Sequence, residues 1–288
     1  MRKLLTIVLS FLLPLYVMGQ AQINTKKIKI ADFTQKTTKI VLTGNLFYDS
    51  ALQNDIATRW RISPYEFCTL DEFESLKTDD SYYFLLTTKG QFKREKEPGL
   101  TFLTIVKGGA DAENGIEGML EVVSFPIAAA EDPSGREFVF LTAIIDIIQN
   151  YVNDSMEKDF DAYGGLGNST LNLPKTADMT IIFSENDLAS MDETARDLYL
   201  NDTMFMTDEE SADSHLMQNT ENTLISYTVA PSRPAQGSFC YKMLIDTQNH
   251  RLYYFKRHRI TSRNGKGFLL EDIKRISWFR TKKQQAGI

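Results

Sequence analysis

From residue 39 onward the apolar pattern of this chain runs through one order of elements and then through that order again. Residues 39–42 read as a strand, and Gly44-Asn45 opens a helix with Leu52, Ile56 and Trp60 on one face. A short strand at 64–69 and a helical turn bearing Phe73 and Leu76 follow. Three strands come next, at 81–88, 100–107 and 119–126. The loop 108–118, rich in Gly, Asp and Asn, reads as the hairpin connection of the last two. A long helix begins near Arg136. Its Leu141, Ile144, Ile145, Ile148, Tyr151 and Val152 form one apolar stripe.

The second pass starts with a strand at 179–183. Ser184 and Asp187 resemble a capping box, which predicts a helix with Leu188, Met191, Ala195 and Leu198 on one face. A short strand at 203–207 and an acidic stretch lead to strands at 223–230, 239–247 and 252–260. Gln248-Asn249-His250 turns the last two into a hairpin. A final helix runs from Phe268, with Leu269, Ile273 and Ile276 on one side. The expected fold class is therefore mixed α/β, read as two tandem β-α-β-α-β-β-β-α repeats that pack mixed sheets against helices. Residue identity between the passes is poor, so the reading rests on element order; the alternative is one mixed sheet.

The expected division is a signal peptide at 1–21, a first repeat at 22–160, a Gly-rich linker at 161–175 and a second repeat at 176–288. Arg2 and Lys3 precede an apolar stretch to Met18, and small residues stand at Gly19 and Ala21, as a signal peptidase prefers. The first cysteine, Cys68, lies too far on for a lipoprotein anchor. The expected address is periplasmic or secreted, with no transmembrane segment after cleavage. The longest remaining apolar run, 138–148, is about half the ~20 residues needed to span a bilayer. In an oxidising compartment Cys68 and Cys240 could be bridged or could be buried free thiols.

Motifs that carry chemistry are scarce. Only His215, His250 and His258 are available, with no His-Glu-x-x-His helix and no Cys-x-x-Cys pair. The Gly164-Gly165-Leu166-Gly167 stretch follows a helix and lacks the lysine of a phosphate loop. Asp159, Asp161 and Gly164 match part of a calcium loop, but Tyr163 and Thr170 stand where ligands should be. No catalytic residue, metal site or cofactor site is expected from these motifs. An Asp/Glu pair for glycoside hydrolysis is spatial and leaves no local signature.

Residues 240–246 (Cys-Tyr-Lys-Met-Leu-Ile-Asp), 252–260 (Leu-Tyr-Tyr-Phe-Lys-Arg-His-Arg-Ile) and 63–67 (Ser-Pro-Tyr-Glu-Phe) resemble exported, signal-peptide-bearing α/β proteins of Bacteroidetes to which no activity is assigned. The resemblance covers about a quarter of the chain. It implies an exported α/β protein and transfers no site residues.

Charge is unevenly placed in a chain whose formal net charge is −6. Residues 251–283 hold eleven Lys and Arg against Glu271 and Asp272, while residues 185–213 hold ten Asp and Glu against Arg196. Such asymmetry implies an anionic partner or an internal match between the two regions. Along the strand 252–260, Arg257 and Arg259 share a face with Phe255, and Tyr254, Lys256 and His258 take the other. Neither face is cleanly apolar, so this hairpin end is expected to project past the core into solvent. Arg257 and Arg259, extended by Lys274 and Arg275, form the candidate anionic-partner surface. The expected function is a non-catalytic binding or cell-envelope assembly module. Its expected partners are anionic glycan, lipopolysaccharide or membrane headgroups, not nucleic acid. The alternative is a carbohydrate-active hydrolase using an Asp/Glu pair.

Overall fold

Residues 26–92 and 95–286 are described by a computed structural model; the expected signal peptide at 1–21 lies outside them. After a short helix α1 (Lys26–Lys29), the first sheet uses β1 (Thr37–Val41), β2 (Tyr65–Cys68), β3 (Tyr82–Gly90), β4 (Leu100–Lys107) and β5 (Leu120–Ala129). Helices α2 (Leu46–Arg59) and α3 (Leu70–Leu76) connect its parallel strands, and α4 (Arg136–Glu157) leaves it. Helix α5 (Asp159–Gly164) leads to the second sheet, built from β6 (Thr180–Ser184), β7 (Met204–Thr207), β8 (Thr223–Val229), β9 (Phe239–Asp246) and β10 (Leu252–Arg259). There the helices are α6 (Glu193–Tyr199), α7 (Glu209–Met217) and α8 (Leu270–Ala286).

The strand orders are β2-β1-β3-β4-β5 and β7-β6-β8-β9-β10. In both sheets the first three strands are parallel and the last three pair antiparallel. The chain is thus mixed α/β with two five-stranded sheets whose strands take corresponding places. Parallel neighbours need a crossover, which the helices supply, while antiparallel neighbours need only a hairpin.

Local chemistry starts α2 and α3 where the sequence suggested, but not the helix expected after Ser184. Asn45 Oδ1 accepts from the amides of Phe47 and Tyr48 to cap α2. Thr69 and Glu72 form a reciprocal capping box at α3. Ser184, by contrast, caps only a 3₁₀ turn, Glu185–Asp187. The helix begins later, at Glu193, with Asp192 accepting from the Ala195 amide. Asp187 is diverted from capping because it is buried and binds Arg136.

One continuous core joins the two sheets around α4. It takes Ile40, Leu85, Leu103 and Ile105 from the first sheet, Ile182, Ile225, Met243 and Ile245 from the second, and Phe140, Ile144 and Ile148 from α4. Phe140 and Tyr227 stack across it, 4.1 Å between centroids and 11° apart. The opposite face of the second sheet is covered by Phe268, Ile273 and Ile276; that of the first by Phe73, Ala112 and Met119. Residues 161–175, expected as a linker, are helical turns packed on the edge of β10. There Thr170 Oγ1 accepts from the Phe255 amide at 3.1 Å. This contact partners a group that the edge strand would otherwise leave open.

Candidate anionic-partner surface and adjoining cleft

The alternation of β10 places Arg257 and Arg259 on one face, opposite Tyr241 and Phe239 of β9. Both guanidinium carbons stand 4.7 Å from the Phe239 ring centroid, a cation–π arrangement. Arg257 also donates to Tyr241 Oη at 3.1 Å, and Arg259 to the Gly237 carbonyl at 3.4 Å. Both side chains are exposed. Among the described residues neither is in an ion pair with a carboxylate, so their charge faces solvent uncompensated.

Lys274 and Arg275 do not join them. Helix α8 covers the other face of the sheet, where Lys274 reaches Tyr199 and Arg275 reaches Phe279. Lys256 also turns to that face and donates to Asp272 at 3.1 Å. The strand does not project past the core as its mixed faces suggested. Tyr254 is fully buried and donates to Asp272 at 2.6 Å. Beside it, Lys242 and Asp272 form an ion pair with both side chains at 0% exposure. Burial pushes the Asp272 carboxyl up, but the Lys242 charge and three hydrogen-bond donors outweigh it and hold it below the usual range. Burial holds the Lys242 ammonium down.

The acidic stretch finds its cation elsewhere. Arg136, the first residue of α4, places its guanidinium between Asp187 and Asp213, at 2.8 Å and 2.7 Å, and donates to the Ser226 carbonyl. It also lies over Phe140 and Tyr227. Burial works against the charge of Arg136, yet two carboxylates overcome it and raise its pKa. One guanidinium for two carboxylates leaves burial dominant at Asp213, whose carboxyl is pushed up. Among the described residues no basic side chain of 251–280 is in an ion pair with residues 185–213. Sequence reasoning missed Arg136 because a lone arginine at a helix start carries no pattern; the buried Asp and Ser it meets are 51 to 90 residues away.

Next to Arg257 a cleft of about 680 Å³ opens between the first sheet and the β9–β10 hairpin. Thr88, Phe102 and Ser124 line one wall, Tyr241, Phe255 and Arg257 the other, and residues 164–167 one end. Thr88, Thr104 and Ser124 form a hydroxyl row across β3, β4 and β5, each step 2.9 Å. Glu121 is the cleft's one lining carboxylate among the described residues. A second groove of about 290 Å³ holds Asp154 and Asp161. Burial, then the Asp161 charge, pushes the Asp154 carboxyl up.

Cys68 and Cys240 are buried free thiols in different sheets. Burial raises both to about 11, so neither is a ready nucleophile. His250, at the hairpin turn, pairs with Asp146 at 2.7 Å, and Arg59 binds the same carboxylate. This ties α2 and α4 to the second sheet. Among the described residues no group of three His, Cys, Asp or Glu could hold a metal ion, and no helix is long and apolar enough to cross a membrane. No family model, curated protein or solved structure matches this chain.

Proposed function

We propose that the chain is a non-catalytic binding or envelope-assembly module that engages an anionic partner through Arg257 and Arg259. The observation that carries this reading is their arrangement: two exposed guanidinium groups on one aromatic ring, with no carboxylate among the described residues in an ion pair with them. Arginine held in this way keeps free N–H donors in a fork that suits carboxylate, sulfate or phosphate oxygens. Anionic glycan, lipopolysaccharide and phospholipid headgroups all offer such oxygens. Lys274 and Arg275 lie across the sheet and belong to a separate surface.

The test is the double reversal Arg257→Glu/Arg259→Glu. Salt-dependent retention on anionic vesicles or anionic polysaccharide is expected to fall about tenfold or more, with an unchanged melting temperature. Unchanged retention would overturn the proposal. The hydrolase alternative draws its support from Asp154 and Asp161 in one groove, with the Asp154 carboxyl raised as a general acid requires. Release of reducing sugar that disappears in Asp154→Asn would favour it.

A further inference from the structure

We infer that the cleft beside Arg257 is the seat of an anionic oligosaccharide, a reading that rests on the anionic-partner proposal and names the partner's class. The volume, about 680 Å³, falls in the ~300–1,000 Å³ range of small-molecule sites. The walls are of three kinds. Phe102 of the first sheet, Tyr241 and Phe255 of the second, and Phe92 just past β3 supply aromatic surface, on which the C–H face of a sugar ring can lie. Arg257 supplies a charge-assisted fork for a carboxylate, sulfate or phosphate group. Lys256 also lines the cleft, but its ammonium is committed to Asp272 on the other face. Lys26 and Arg257 therefore stand against Glu121, and the balance is positive.

The third kind is the hydroxyl row. Three hydroxyls share two internal hydrogen bonds, so one O–H is left over and can point out from either end. Thr88 and Ser124, the ends of the row, are the members that line the cleft. The row can thus donate at one end while accepting at the other, and reverse. Sugar hydroxyls, which both donate and accept, match this. An acyl chain does not, because it would cover the leftover O–H at one end of the row without pairing it. A membrane surface is flat and cannot enter a recess between two sheets.

The glycine stretch completes the site. Gly165 has φ +63°, a conformation suited to glycine, and turns the chain past the cleft. A Cβ at Gly167 would meet nothing within 4 Å, and its φ is ordinary. A large side chain can therefore be placed there to obstruct the cleft without straining the backbone.

The experiment is calorimetric titration of the full chain with trigalacturonate, a chondroitin sulfate tetrasaccharide and a mannose-phosphate oligosaccharide, with neutral maltotriose as control. Vesicles of phosphatidylglycerol in phosphatidylcholine form a separate arm. The inference expects saturable binding of at least one charged sugar, about tenfold or more tighter than maltotriose. It expects loss of that binding in both Gly167→Trp and Arg257→Glu. Thr88→Val, nearly isosteric, should weaken it severalfold and keeps the test open if Gly167→Trp fails to fold. Binding of vesicles but none of the charged sugars overturns the inference and leaves the anionic-partner proposal standing. Binding of neither defeats both. Charged-sugar binding that survives folded Gly167→Trp and Thr88→Val also overturns the inference.

Discussion

The arginine at the start of α4 and the arginines at the end of β10 both lie over aromatic rings, yet they do opposite work. Arg136 is buried, with Asp187 and Asp213 on its guanidinium and Phe140 and Tyr227 beneath. Arg257 and Arg259 are exposed over Phe239, with a tyrosine hydroxyl and a carbonyl as polar partners. A cation removed from water must bring acceptors with it, because an unpaired buried charge costs several kcal/mol; at Arg136 they are two carboxylates. A cation left in water has no such need. The difference marks Arg136 as part of the fold and leaves Arg257 and Arg259 available to a partner.

The largest expected effect is at Arg136. Arg136→Ala strands Asp187 and Asp213 in the interior, and equilibrium denaturation should show a loss of about 3–5 kcal/mol. Lys242→Met should come next. It removes one of two ammonium groups on Asp272, while Lys256, Tyr254 and the Leu269 amide remain. The loss should be about 2–3 kcal/mol, and Lys242→Met/Asp272→Leu should not recover it, since the second change takes the buried acceptor from the Tyr254 hydroxyl and the Leu269 amide.

Asp32 is an intermediate case that sharpens the contrast. Burial pushes its carboxyl up, but the Tyr83 hydroxyl and the ammonium groups of Lys107 and Lys36 prevail and lower it to about 2. A carboxylate whose folded pKa is depressed adds stability above its unfolded pKa. That stability is lost as pH falls through the folded value. Asp32→Asn should therefore cost about 1 kcal/mol at neutral pH, allowing for solvent at a one-third-exposed carboxylate. The gap from the parent chain should narrow between pH 4 and pH 2 in thermal unfolding. Smallest of all, Lys39→Ala, which breaks a pair with the exposed Glu66, should lower the unfolding free energy by no more than about 1 kcal/mol in equilibrium denaturation.

Much of the fold was legible because periodicity reports burial. Leu141, Ile144, Ile145, Ile148, Tyr151 and Val152 are all buried, as their stripe requires, and so are Ile273 and Ile276. The strands fall close to their expected places for the same reason. Helix α7 was hidden inside the acidic stretch: its apolar face is carried by Ala212 and Leu216 alone, too little to show a period. The hairpin 252–260 misled because Lys256 and Tyr254 look like a solvent face. A buried carboxylate at Asp272, on a helix later in the chain, makes that polar face interior. The candidate site was half legible. Strand alternation placed Arg257 and Arg259 together, but nothing local shows that α8 carries Lys274 and Arg275 to the other side. The cleft has no sequence signature, since its walls come from both sheets.

The most direct test of the division between fold charges and partner charges is to measure anionic-glycan retention and the denaturation midpoint on one preparation of Arg257→Glu/Arg259→Glu. The account predicts retention reduced about tenfold or more, with a midpoint that does not move. A midpoint lowered as far as in Arg136→Ala, with retention intact, would contradict it.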